Sequence, residues 1–240
     1  ANFMKIALIF GRKNSKGLKN KNITKINGKP SCFYPINAAI SSKIFDKIYV
    51  STDSAFIKTF SQKKKCLIIN RPKYLCTDKA LLSDAIDHGV KYCKKKYKKI
   101  EMFAIFLCNS VCVNKNTVIK MQKKLDTGKY DTVTTISRFD MYSPTRSFKI
   151  KNNKIMNYVP NKILKKFTNL SGDRKKTEPS YFITHSCTMS KSNIFNKKNE
   201  YPFLWMGKKK GFIKQDNCVG DIDYEWQKIA SANWLKKNEK

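Results

Sequence analysis

Short apolar runs recur along the first 137 residues, and most are followed by a polar loop and then a stretch of helical periodicity. Runs at 6–10 and 47–51 read as buried strands, 102–108 as a very apolar, central one, and 66–69 and 131–137 as further strands. Helical spacing at 34–42, 56–61, 80–97 and 117–125 separates them. Strands alternating with helices predict a three-layer α/β fold around a central, mostly parallel sheet. In open sheets of this kind, ligands bind beyond the carboxyl ends of the strands. The segments after those ends carry Arg12, Thr52 with Asp53, Arg71, and Asn109 with Ser110, so these are expected along one edge.

The loop after the first run holds the densest chemistry. Arg12, Lys16 and Lys21 are cations, Asn14, Ser15 and Asn22 are neutral donors, and Gly11 and Gly17 allow the backbone to approach a ligand. Fixed cations and exposed backbone N–H groups suit a polyphosphate. In a chain this rich in lysine, the same residues also fit a solvated loop, and the loop alone does not decide between the two.

The formal net charge is +33. Such an excess raises nucleic acid or an anionic membrane as partners. Here the lysines are spread along the whole chain, so a solvated surface is expected, with no nucleic-acid or membrane partner. Against that background the arginines, at 12, 71, 138, 146 and 174, mark places where a planar, bidentate anion contact is worth testing. No apolar run reaches the roughly 20 residues of a membrane span. The start of the chain lacks a signal-peptide pattern, and the eight cysteines show neither zinc spacing nor a C-x-x-C pair. Free thiols in a reducing cytoplasm are the expectation.

Beyond residue 140 the rhythm changes. Segments 147–151 and 154–158 read as a hairpin around Asn152 and Asn153, 181–190 as a strand, and 141–199 as an inserted extension to a single domain spanning 1–240. Asp221 and Asp223 stand out in so basic a chain. In an extended segment their carboxylates point to one side, and oxygen ligands with room for water and phosphate are how Mg²⁺ is held. Asp223 equally suits a helix N-cap, since a helix is expected to begin there. His185 reads as a core histidine or as a substrate contact. Tyr224 and Trp226 are expected to pack the last helix. A cationic loop facing a carboxylate pair is the equipment of nucleotidyl transfer.

The chain also resembles a known family. The loop from Arg12 to Asn22 looks like the first motif of the acylneuraminate cytidylyltransferases. Residues 37–53 are similar to their helix and second strand; Arg71, Pro72, Leu75, Thr77, Asp78 and Ala80 to their next loop; and Gly220 to Asp223 to their metal motif. The resemblance implies a Rossmann-like nucleotidyltransferase fold with a small dimerisation extension. It also implies Mg²⁺-dependent transfer of CMP from CTP to a 2-keto-3-deoxy sugar acid in a cytoplasmic homodimer. It assigns Arg12, Lys21, Asp221 and Asp223 to catalysis and Asp221 and Asp223 to the metal. Gly11, Arg12, Asn14, Ser15, Lys16, Gly17, Lys21, Asn22, Arg71, Asn109 and Ser110 fall to the nucleotide, and Arg146, Arg174 and His185 to the sugar. Where the family carries Gln after the fourth strand, this chain has Cys108, Asn109 and Ser110, which moves base recognition onto backbone groups, Arg71 and Asn109.

Overall fold

A computed structural model describes residues 3–13, 17–167, 172–173, 176–196 and 202–238. The first apolar run forms β1 (Met4–Phe10), its last five residues buried. A two-stranded turn, β2 (Lys25–Ile26) with β3 (Lys29–Pro30), leads into α1 (Phe33–Ser42). Then follow β4 (Lys47–Thr52), α2 (Ala55–Lys63), β5 (Leu67–Asn70), α3 (Leu82–Lys96), β6 (Ile100–Leu107), α4 (Lys115–Asp126) and β7 (Thr132–Arg138). Ser54 and Asn114 cap α2 and α4 by accepting from the N–H groups of Ile57 and Thr117.

Beyond β7 come a hairpin of β8 (Phe148–Lys151) and β9 (Lys154–Asn157), the short α5 (Asn161–Leu164), β10 (Tyr181–Lys191), β11 (Lys210–Lys214) and α6 (Glu225–Asn238). Seven strands make one sheet in the order β11-β7-β10-β6-β1-β4-β5. β10 runs antiparallel to both neighbours and all other pairs are parallel. The middle of the sheet is buried on both faces, as its apolar strands β1 and β6 require. Ala7, Ile9, Met102, Ala104 and Phe106 pack with residues of α1, α2 and α4 on one side. Ile6, Leu8, Phe10, Phe103 and Ile105 pack with α3 on the other. Each fully buried Ile, Leu or Phe contributes about 1.5–3 kcal/mol by leaving water.

From β1 the chain winds outward through β4 and β5, then crosses back to β6 on the opposite side of β1. The carboxyl ends of β1 and β6 therefore flank the switch point of the sheet, where α/β folds bind ligands.

Three expectations change. β11 was not anticipated from sequence. The extension does not fill 141–199, because β10 lies in the central sheet between β6 and β7. What stands off the sheet is the β8–β9 hairpin with its flanking turns, reversed at Asn152 (φ 49°) and Asn153 (φ 59°) as a two-residue turn demands. It is anchored where Asp140 takes Arg138 and the Ser180 N–H, at 3.0 Å for the latter. Finally, Tyr224 and Trp226 are exposed, and Trp234 and Leu235 pack α6 instead. Among the described residues no helix is long and apolar enough to cross a membrane.

Candidate active site

A cleft opens at the switch point, lined by Phe10, Gly11, Arg12, Lys21, Asn22, Arg71, Leu75, residues 80–82, Ala85, Leu107, Asn109 and Asp221. The loop after β1 is fastened by the protein's own groups. Arg12 donates through Nη1 to the Thr77 carbonyl at 2.7 Å and sets Nη2 3.6 Å from Asp78. Asn22 Nδ2 donates to the Arg12 carbonyl at 2.8 Å, and Asp53 accepts from the Lys13 N–H at 2.7 Å. Asp53 and Asp78 thus act as loop braces.

Arg71 lies over the edge of the cleft, donating to the Ser51 hydroxyl at 3.3 Å and the Ser51 carbonyl at 3.0 Å. Burial lowers its pKa and the charge of Asp53 opposes that shift.

The glycines serve close approaches. A Cβ on Gly11 would lie 2.6 Å from Cys108 Sγ. A Cβ on Gly17 would lie 3.1 Å from the Asp223 carbonyl oxygen, which accepts the Leu18 N–H at 3.2 Å. The cationic loop is therefore docked directly onto the acidic segment.

That segment comes from the far edge of the sheet. Gln215 follows β11, takes the Thr184 hydroxyl at 2.7 Å and donates to the Cys112 carbonyl at 2.6 Å. Asn217 (φ 59°) and Gly220 (φ 84°) turn the chain, Gly220 against the backbone of Thr184. Ile222 is buried and its N–H donates to the Asn109 carbonyl at 2.9 Å. With Ile222 inward, Asp221 faces the cleft and Asp223 takes Lys21 Nζ. Asp223 does not cap α6 with its side chain: Gln227 accepts the N–H groups of Asp223 and Tyr224, at 2.8 and 2.9 Å. Among the described residues no three His, Cys, Asp or Glu side chains form a metal cage. Two carboxylates with open positions suit a hard cation that keeps water or phosphate oxygens as its other ligands.

His185 sits in a bulge of β10, between the pairs Ile183↔Ile136 and Thr188↔Thr134, at φ 53°. Bulges re-aim side chains near active sites, and a residue other than glycine at positive φ is uncommon. Burial lowers the His185 pKa, and the charges of Asp221 and Asp223 oppose that shift. Its ring meets Phe203 edge-on at 5.2 Å.

The structure brings together Gly11, Arg12, Lys21, Asn22, Arg71, Asn109 and Asp221 at the cleft, with Gly17 and Asp223 beside it. Asn14, Ser15, Lys16 and Arg174 lie outside the described residues. Ser110 corrects an expectation: alternation turns it inward, wholly buried with its hydroxyl unpartnered, while Asn109 faces the cleft. Arg146 donates to the Gly172 carbonyl at 3.3 Å, away from the cleft lining. Sequence reasoning missed the apolar wall of Leu81, Leu82 and Ala85 at the start of α3; its signal is the apolar residues just after Asp78.

A family model described as Cytidylyltransferase matches residues 6–138. The chain is similar to an N-acylneuraminate cytidylyltransferase of Escherichia coli, 32% identical over 172 residues, 65% of this chain and 40% of that one. A Helicobacter pylori protein, named for pseudaminic acid cytidylyltransferase and a UDP-sugar hydrolase, is 30% identical over 148 residues, 61% of this chain and 28% of its own. A CMP-N,N'-diacetyllegionaminic acid synthase of Campylobacter jejuni is 40% identical over 75 residues, 31% of this chain and 32% of that one. The chain spans less than half the length of these relatives. Among solved structures, a CMP:2-keto-3-deoxy-manno-octonic acid synthetase complexed with CTP superposes with a TM-score of 0.66 over 98% of this chain and 99% of its own, at 12% identity. At that identity the likeness shows the fold alone.

Proposed function

The chain belongs to the cytidylyltransferase family, and from that premise we propose that it transfers CMP from CTP to the anomeric hydroxyl of a sialic-acid-like 2-keto-3-deoxy sugar acid, releasing pyrophosphate. One observation carries the reading: Arg12, Lys21, Arg71 and Asp221 converge on a single cleft at the switch point of the sheet. The names of the E. coli, H. pylori and C. jejuni relatives support the acceptor class.

In this reading the sugar hydroxyl attacks the α-phosphorus in line and pyrophosphate leaves, so catalysis is positioning and charge stabilisation. Arg12 grips the triphosphate from its Thr77 anchor. Lys21, which donates to Asp223, reaches the triphosphate by exchanging that partner. Arg71 and the wall at 80–82 take the nucleoside end. Asp221 and Asp223 would hold Mg²⁺, which when bound supplies Lewis-acid neutralisation of phosphate charge. His185 is proposed to contact the acceptor, and Arg146, with Arg174 outside the described residues, to hold its carboxylate.

Pyrophosphate release with each of the four NTPs against sialic, legionaminic, pseudaminic and 3-deoxy-octulosonic acids tests the reading. CTP with a nine-carbon acid is the expected pair; turnover of GTP or ATP alone overturns it. Gly17→Ala should lower kcat/KM for CTP roughly tenfold, because the new Cβ pushes the cationic loop off Asp223 by a few tenths of an ångström. Steady-state kinetics at unchanged melting temperature checks this, and wild-type kinetics would reject the docking argument.

The proposal includes a homodimer in a reducing cytoplasm, supported by eight free cysteines and by the β8–β9 hairpin. Ile150 and Ile155 pair across that hairpin at 79% and 71% exposure, with Phe148 and Met156 beside them. Covering each isoleucine is worth about 1.5–3 kcal/mol. The double change Ile150→Glu with Ile155→Glu should therefore weaken association by roughly 10²-fold or more. Light scattering after gel filtration reads this directly; a dimer that persists at micromolar concentration removes the hairpin from the interface.

A further inference from the structure

Asn109 occupies the turn after the central strand β6, at the switch point, and is 5% exposed. Its backbone carbonyl accepts the Ile222 N–H at 2.9 Å. Its side-chain nitrogen donates back to the Ile222 carbonyl at 3.1 Å and lies 3.4 Å from Asp221 Oδ2. An amide nitrogen carries two hydrogens, and these two acceptors take both. Both side-chain N–H groups of Asn109 are thus committed to the acidic segment. The contact runs between chain segments 112 residues apart, so it is a tertiary fastening and not part of a local turn. On the other side, Gly220 fits against Thr184 and Ile222 is wholly buried. The short peptide bearing Asp221 is thus pinned at Gly220 and at Ile222, and its carboxylate is steered by one donor.

We propose that Asn109 is a positioning residue for Asp221, and that it sets the affinity of the Asp221 and Asp223 pair for a divalent cation. The inference rests on the cation reading above. A donor to a ligating carboxylate fixes its rotamer and leaves its other oxygen for the ion, and removing such outer partners lowers metal affinity about 10–100-fold. Nothing in packing requires an amide here. A leucine of similar volume would fill the space without either donor.

The experiment titrates Mn²⁺ into the full chain with CTP present but no sugar acid, following the free-ion signal by electron paramagnetic resonance. Wild type, Asn109→Leu, Asn109→Ala and Asp221→Asn are compared, with CTP affinity measured separately in EDTA and near-UV circular dichroism as the check on folding. In both Asn109 variants the Mn²⁺ dissociation constant should rise about tenfold or more, by a clearly larger factor than CTP affinity in EDTA falls. Turnover lost at low Mg²⁺ should return at saturating Mg²⁺. If Asp221→Asn loses Mn²⁺ while the Asn109 variants bind it as wild type does, the positioning role is wrong and the cation reading stands. A fall in CTP affinity in EDTA with unchanged Mn²⁺ binding makes Asn109 a base contact and overturns the proposal. If Asp221→Asn itself binds Mn²⁺ normally, the cation reading falls and takes the proposal with it.

Discussion

Asp221→Ala is expected to reduce CMP transfer roughly 10³-fold while the protein melts close to its normal temperature. The kinetic size follows from the metal: neutralising charge on a reacting phosphate is worth several kcal/mol, and about 1.4 kcal/mol is a decade in rate. The stability side follows from the surroundings. Asp221 is only partly buried, and its one contact among the described hydrogen bonds is the long 3.4 Å approach of Asn109. Removing it leaves Asn109 bonded to the Ile222 carbonyl, with its second N–H freed at the cleft, where water can accept it. Asp223→Ala is a different experiment, because it also releases Lys21 from its carboxylate. Comparing kcat at saturating Mg²⁺ in the two variants separates loss of a ligand from loss of a charge pair. Wild-type turnover in Asp221→Ala would remove Asp221 from the chemistry.

Much of this was readable before the coordinates, and the failures have physical causes. Strands β1, β4 and β6 announce themselves because they are apolar and largely buried on both faces, so no polar phase confuses the pattern, while β5 and β7 are marked by short β-branched stretches between loops. β11 fails that test. Gly211, Phe212 and Ile213 are its only non-lysine residues, flanked by Lys210 and Lys214, which is how a sheet edge is kept from pairing further. β10 was legible as a strand but not as a member of the central sheet, since its place between β6 and β7 follows an excursion of more than forty residues that carries no trace of where it returns.

The site divides in the same way. Arg12 and the two aspartates stood out by residue type against a lysine background, and Lys21 by its place in the loop after the first strand. What holds them did not, because every fastening is long-range: Asn109 to Ile222, Leu18 to Asp223, Arg12 to Thr77. Asn109 and Ser110 looked equivalent in sequence, and only the turn after β6 sends one to the cleft and the other into the core.

Arg12→Ala should lower kcat/KM for CTP by roughly 10²–10³-fold, the usual loss when one preorganised donor to developing charge is removed. Preorganisation is visible in the bonds of the loop itself. The guanidinium is already anchored to the Thr77 carbonyl, and the Arg12 carbonyl is held by Asn22, so little ordering remains when the triphosphate arrives. Arg12→Lys should recover less than tenfold of the loss, because an ammonium cannot hold the Thr77 carbonyl through one nitrogen and a phosphate through another. Stability should barely move. The ion pair with Asp78 is solvent-exposed, at 24% and 42% for the two side chains, and such pairs are worth about 0–1 kcal/mol after screening. In a protein of this size that is a shift of no more than about 2–4 °C. A large kinetic loss with a small thermal shift is the signature of a residue placed for the substrate. If Arg12→Ala instead melted many degrees lower, with CTP kinetics otherwise normal, Arg12 would be a structural tie between the first loop and the loop after β5, and the phosphate assignment would pass to Lys21 alone.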